Sequence, residues 1–172
     1  MKTVTRARAV GVGLATILLV SCTDTAQVSQ KGFAAQYSTA RTALEKGNYD
    51  LAGRVYARML PQAGPLSDRI QLEYAHAMLR SGEFQRASQM AGVIADRSNG
   101  SDRAAALSVK GTADHEMALI LLREGDQINS MARLKAAQQS LQEVLNKHPD
   151  FDPLGALAGR QASIAVQLKT LR

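Results

Sequence analysis

Residues 43–52, ALEKGNYDLA, and residues 78–87, MLRSGEFQRA, share one pattern of residue types. In each stretch a run of helix-forming residues reaches a glycine, an aromatic residue follows two positions later, and an alanine follows three positions after that. The matching residues are Gly47 with Gly82, Tyr49 with Phe84, and Ala52 with Ala87. Glycine commonly ends a helix in the left-handed conformation. Each stretch therefore predicts a helix, a tight turn at the glycine and a second helix that packs back on the first.

The offset from residue 47 to residue 82 is 35, and it recurs outside the two quoted stretches. Ala40 and Ala75 lie seven positions before the two glycines, where a small side chain lets two helices cross closely. This pattern resembles the tetratricopeptide repeat, which has a period of about 34 residues. The resemblance implies an all-α array of stacked helix pairs, with a concave face lined mainly by the first helix of each pair.

A third copy of the pattern follows, with Ala118 seven positions before Gly125. Its second helix is predicted late, at 137–147, so we expect an insert of about seven residues (12 − 5) near 127–133. The amphipathic segment 153–171 predicts a last helix, with a proline in its first turn, that caps the array. The prediction for residues 33–172 is therefore an all-α, tetratricopeptide-like array of about three helix pairs, the third interrupted, with a C-terminal capping helix.

Cys22 is the only cysteine, and it follows an uncharged apolar run at 9–20. The run is too short to cross a bilayer, which takes roughly 20 apolar residues, and a positively charged start precedes it. This order is typical of a cleaved signal peptide, here residues 1–21. An ordinary signal peptide without lipid, or a signal anchor with an incidental cysteine, is the alternative interpretation.

The tetrapeptide Leu19-Val20-Ser21-Cys22 resembles a bacterial lipobox. The resemblance implies that the chain is cut before Cys22 and that this residue carries covalent acyl chains such as palmitate, which together give stable anchoring. Residues 22–32 are small and polar, and they predict a lipidated, flexible tether. Thr23 stands where the inner-membrane retention signal of the enteric sorting pathway has Asp. The resemblance therefore implies the periplasmic face of the outer membrane.

The composition argues against nucleic-acid binding. The formal net charge is +6, and it falls to +3 (18 − 15) without the N-terminal cations Lys2, Arg6 and Arg8. The other basic residues alternate with acids, aromatic residues make up only 4%, and no tryptophan is present. Single-stranded nucleic-acid sites, in contrast, combine a basic groove with aromatic stacking platforms.

Catalytic and metal-binding patterns are also missing from the sequence. No G-x-S-x-G, P-loop or H-E-x-x-H pattern occurs, and a lipidated Cys22 is not available as a nucleophile. The residues of the one titratable cluster, Asp-His-Glu at 114–116, are adjacent in sequence and diverge around a helix, so we expect a solvated helix face there. The sequence predicts no enzyme, no metal and no cofactor beyond the covalent lipid.

With catalysis and nucleic-acid binding disfavoured, we expect the chain to bind a partner protein. Grooves of stacked helix pairs take an extended or helical segment of a partner protein. The chain resembles the accessory lipoproteins of envelope machines, and the tight-adherence (Flp) pilus assembly lipoproteins in particular, which implies an interaction scaffold in pilus or secretion-machine assembly. An adaptor in outer-membrane protein assembly or cell-wall maintenance is the alternative. The candidate groove residues, from the middle of each first helix, are Gln36, Arg41, Gln71, His76, Asp114 and Glu116.

Overall fold

The computed structural model describes the backbone of residues 23–171 and the side chains of residues 31–171. This part of the chain holds seven α-helices and no β-strand, which confirms the all-α prediction. The helices are α1 (Thr23–Glu45), α2 (Tyr49–Met59), α3 (Ser67–Arg80), α4 (Phe84–Arg97), α5 (Gly100–Arg123), α6 (Gln127–Lys147) and α7 (Ala156–Thr170). From α2 onward, each helix packs against the next one along the chain.

The chain divides into two units, residues 1–34 and residues 35–172, and the second contains α2 to α7 with the end of α1. The predicted signal peptide and Cys22 lie outside the described residues. Helix α1 begins at Thr23, so the backbone is helical along 23–32, where we expected a flexible tether. Alanine and glutamine in this segment favour a helix, and no proline interrupts it. None of the described helices is long and apolar enough to cross a membrane.

The turns that end α1, α3 and α5 are built from the same hydrogen bonds. In each, the amide of the residue after the glycine donates to the carbonyl oxygen five residues back, which is typical of a helix that ends in a left-handed residue. The three bonds run from Asn48 to Ala43 at 2.8 Å, from Glu83 to Met78 at 2.9 Å, and from Asp126 to Leu121 at 2.9 Å. The φ angles of Gly47, Gly82 and Gly125 are 78°, 87° and 82°. The positive φ expected at the first two glycines is confirmed, and the third turn repeats it.

The helices of each pair cross at small, fully buried residues. Ala52 and Ala87 are 0% exposed, as the repeat pattern predicts, and so are Ala40 and Ala75 on the helices they face. In the third pair the corresponding residues are Ala118 and Ser130, which are also 0% exposed. The Ser130 hydroxyl donates to the Ala118 carbonyl oxygen at 3.0 Å, so the buried oxygen has a partner.

The predicted insert at 127–133 is wrong. Helix α6 begins at Gln127, two residues after Gly125, at the same distance from the glycine as α2 and α4. The Asp126 carboxylate accepts from the Asn129 amide at 3.1 Å and caps the new helix. The third pair is therefore uninterrupted. It differs from the first two in having longer helices, Gln127 in place of the aromatic residue and a serine in place of the crossing alanine.

The last helix, α7, begins at Ala156 and not at Pro153. The Asp152 carboxylate accepts from the backbone amides of Leu157 and Ala158 at 2.9 and 2.8 Å. These N–H groups lie in the first turn of α7, where no carbonyl of the helix itself can accept from them. The predicted contact of α7 with α6 is present. Ile164 and Leu168 of α7 share a buried cluster with the following residues of α5 and α6: Ala118, Leu134, Ala137 and Leu141.

Candidate functional site

A cleft of about 610 Å³ opens between α3, α5 and the start of α7. Two of the six predicted groove residues, His76 on α3 and Glu116 on α5, line this cleft together. Arg80 lies one helical turn beyond His76, and Arg160 projects from α7. Two first helices and the capping helix therefore bring charged side chains to one concave surface.

The lining of the cleft combines apolar and hydroxyl side chains with the charged ones. The apolar ones are Leu79, Phe84, Val109 and Leu157, and the hydroxyl ones are Ser108 and Thr112. A second, mainly apolar hollow of about 340 Å³ shares Phe84 with the cleft and includes Met117 and Ile120. Apolar surface with a few polar groups placed around it is the usual make-up of a binding site.

The cations around the cleft outnumber the acids. Arg80 is exposed, and its guanidinium lies over the Tyr49 ring at 5.2 Å from the centroid and donates to the Tyr49 hydroxyl at 2.8 Å. Arg160 donates to Glu116 Oε1 at 2.8 Å, so the one lining carboxylate is already paired. Burial lowers the pKa of His76, and Arg80 and Arg41 lower it further while Glu73 opposes them. His76 is therefore neutral at pH 7, and the cleft carries a net positive charge.

Arg41, Gln71 and Gln36 lie away from the cleft lining. Arg41 donates to Glu73 Oε2 at 3.0 Å and to Glu45 Oε1 at 3.1 Å, which links α1 to α3. Glu73 is only 7% exposed, and it also accepts from Arg69 and Tyr37. The Arg41 guanidinium therefore forms an ion pair between α1 and α3.

Gln71 donates to Ser67 at 3.1 Å and accepts from Arg97 at 2.8 Å, so its side chain faces α4. Gln36 is partly exposed on α1. The structure therefore divides the six predicted residues: His76 and Glu116 share one surface, Arg41 and Gln71 make contacts between helices, and Gln36 stands apart from both.

Asp114 is not a groove residue, and the expectation of a solvated face at 114–116 is wrong. Asp114 is 0% exposed, and its carboxylate accepts from Ser88 at 2.7 Å, from Lys110 at 2.6 Å and from Arg133 at 2.9 Å. These donors belong to α4, α5 and α6. A buried carboxylate is tolerated when charged and hydrogen-bonding partners surround it, and here the partners join three helices.

His115 is also buried, at 4% exposure, on the side of α5 that faces α7. Its Nε2 lies 3.0 Å from Gln167 Oε1, and its Nδ1 lies 2.8 Å from Arg160 Nη1. Of the three adjacent residues, only Glu116 reaches the cleft. The described residues contain no group of three His, Cys, Asp or Glu side chains arranged to hold a metal ion.

Helical spacing could have identified part of the cleft from the sequence. Leu79 and Arg80 lie three and four positions after His76, and Thr112 lies four before Glu116, so these residues share helix faces with the two predicted residues that line the cleft. Arg160 and Leu157 carry no such signal. Their approach depends on how α7 docks, and Arg160 lies 44 residues further along the chain than Glu116 (160 − 116).

Comparison of the chain with known protein families, with curated proteins and with solved structures gives no match. What the chain binds is therefore inferred from the geometry described above.

Proposed function

We propose that the chain is a lipid-anchored, tetratricopeptide-like adaptor whose cleft binds a segment of a partner protein during assembly of an envelope machine, such as a pilus or secretion apparatus of the tight-adherence type. The cleft between α3, α5 and α7 is the observation that carries this proposal. The anchor in the outer membrane rests on Cys22 and the lipobox-like residues before it. The identical turns after Gly47, Gly82 and Gly125 support the repeat interpretation.

The cleft favours a segment that carries a carboxylate next to an apolar side chain. Arg80 and Arg160 supply two cations, and a guanidinium has five N–H donors, more than the described contacts of either residue use. Leu79, Val109 and Leu157 give an apolar anchor a surface to cover. Charged hydrogen bonds at the rim would orient the segment, and burial of its apolar side chain would supply affinity.

A site-specific cross-linker tests the proposal in intact cells. A photoreactive amino acid at position 112, inside the cleft, should give a discrete cross-linked product with the partner. Adding Arg80→Glu should reduce that product by about tenfold or more, because loss of one charged hydrogen bond costs about 1.5–3 kcal/mol. Arg58→Glu, a matched reversal at an exposed position of α2 outside the lining, should leave it unchanged.

Equal cross-linking with and without Arg80→Glu would refute the cleft, provided that circular dichroism shows both variants folded. Loss with Arg58→Glu alone would place the working surface on α2. The identity of the cross-linked partner also distinguishes between the two proposed roles in the envelope. A pilus or secretin component supports the tight-adherence role, and a cell-wall or outer-membrane assembly protein supports the alternative.

A further inference from the structure

Helix α7 is both a wall of the cleft and the last of the described helices. It contacts α5 through a small polar group formed by His115 and Glu116 on α5 and by Arg160 and Gln167 on α7. The rest of its contact is mainly apolar and centres on Ile164 and Leu168, which pack against residues of α5 and α6. Gln161 adds a hydrogen bond to the Gln138 carbonyl oxygen of α6 at 3.4 Å. Whatever weakens the polar group loosens one side of α7 and leaves the apolar side in place.

The contacts of His115 favour one neutral tautomer of the ring. Arg160 can only donate hydrogen bonds, so the Nδ1 atom that it contacts at 2.8 Å must accept and carries no proton. The proton of the neutral ring is then on Nε2, which donates to Gln167 Oε1 at 3.0 Å. Both ring nitrogens bond to α7, and they do so only while the ring is neutral.

A second proton on His115 would break this arrangement. It would occupy Nδ1, remove the acceptor for Arg160 and place two positive charges in contact. The charged group on α7 that faces the ring is Arg160, and the nearby acid on α5 is Glu116, which already pairs with Arg160. On α6, Arg133 is bonded to Asp114, and the α6 side chains in the core shared with α7 are apolar. The acid that faces the new charge is therefore Glu116, and its Oε1 already accepts from Arg160.

We propose that α7 is an acid-sensitive wall of the cleft, which closes on α5 while His115 is neutral and loosens when His115 takes up a proton. Burial lowers the pKa of His115 and Arg160 lowers it further, while Gln167 and Glu116 oppose them. In the loosened form the His115 pKa returns towards the ordinary value of about 6.5, so that form binds the proton more tightly. Docking of α7 is therefore strongest well above pH 6.5 and weakens as the pH falls through that value.

Hydrogen exchange of the full chain, without any partner, tests the proposal. Exchange of the α7 amides, corrected for the chemical pH dependence, should rise by up to about tenfold between pH 7.5 and 5.5, the limit for one proton with a pKa near 6.5 in the open form. The amides of α4, which contains no histidine, should not show this rise. His115→Gln, which cannot take up a proton, should abolish the rise in α7, and His76→Gln should retain it.

Three results would overturn the proposal: α7 exchange independent of pH in the wild type, an acid response retained in His115→Gln, or one lost in His76→Gln. If His115→Gln detaches α7 at every pH, NMR of the imidazole nitrogens in the wild type decides. A neutral ring protonated on Nε2 at pH 7 supports the proposal, and a charged ring or the other tautomer refutes it. No partner takes part, so these outcomes leave the proposed binding function untouched.

Discussion

Asp114 shows how one buried charge can join three helices. Its carboxylate has no exposure to solvent, and each of its donors comes from a different helix: Ser88 on α4, Lys110 on α5 and Arg133 on α6. Arg133 also donates to Gln85 at 2.7 Å, which adds a second link to α4. Taking the carboxylate out of water is costly, and the three donors offset that cost only together.

Asp114→Asn tests this network at nearly constant side-chain volume. The amide removes the charge and turns one acceptor into a donor, which faces either Lys110 or, with the amide turned over, Ser88 and Arg133. We expect the free energy of unfolding to fall by about 3 kcal/mol, the lower end of the range for a broken buried pair, because both cations are partly exposed and can be rehydrated. Urea denaturation followed by circular dichroism measures the change.

Ser88→Ala is the control, since it removes only the neutral donor and should cost about 1 kcal/mol. An Asp114→Asn variant as stable as the wild type would mean that the helices are held by their apolar contacts alone.

The sequence contained part of the signal for this network. Lys110 lies four residues before Asp114 on the same helix, a spacing that places their side chains next to each other. Ser88 and Arg133 carry no local signal, because their approach depends on how α4 and α6 pack on α5. For the same reason His115 could not be assigned to the interior: its partners Gln167 and Arg160 lie on the last helix.

At the scale of elements, the contact of α5 with α6 depends on a glycine within the helix. A Cβ atom at Gly111 would lie 2.7 and 2.8 Å from Leu141 side-chain atoms and 3.2 Å from the Ser140 Cβ. Gly111 is buried, and glycine is an unfavourable helix residue. Close approach of the two helices at this point is the physical reason for its presence.

Gly111→Ala should therefore destabilise the protein, although alanine is the better helix former. Overpacking costs about 1–3 kcal/mol, and the gain in helix propensity offsets at most about 1 kcal/mol of it. The melting temperature should fall.

Gly92→Ala on α4 is the matched comparison, because a Cβ there meets the Lys110 side chain at an ordinary 3.6 Å. That substitution should raise the melting temperature slightly. If both alanine variants shift the melting temperature in the same direction, the close approach of α5 and α6 does not explain why residue 111 is a glycine.

Most helices of the fold could be predicted, and the failures have specific causes. Glycine, aromatic and alanine residues at a constant offset located α1 to α4, since each has a defined place in the turn or at the crossing. The start of α6 was misplaced because Ser130 replaces the expected alanine and Gln127 replaces the aromatic residue. Ser130 fits because its hydroxyl finds a carbonyl on the facing helix, a contact that the sequence alone does not show.

At the scale of the whole molecule, the proposed attachment to a membrane depends on one side chain. Cys22→Ser should release the protein from the membrane fraction or leave it as an unprocessed precursor, because serine has no thiol to acylate. Metabolic labelling with a fatty-acid analogue should mark the wild-type chain and not the variant. Equal labelling of both chains would contradict lipidation of Cys22.

The pattern of packing along the chain also bears on how the protein folds. The described helices contact mainly the next helix in sequence. The more distant contacts, such as α3 with α5, α5 with α7, α1 with α3 and α4 with α6, skip a single helix. Proteins whose contacts are local in sequence fold fast, because little chain entropy is lost before each contact forms. A chain that emerges amino end first can therefore acquire its structure in the order of its synthesis, each new helix adding to a surface already formed by the one before it.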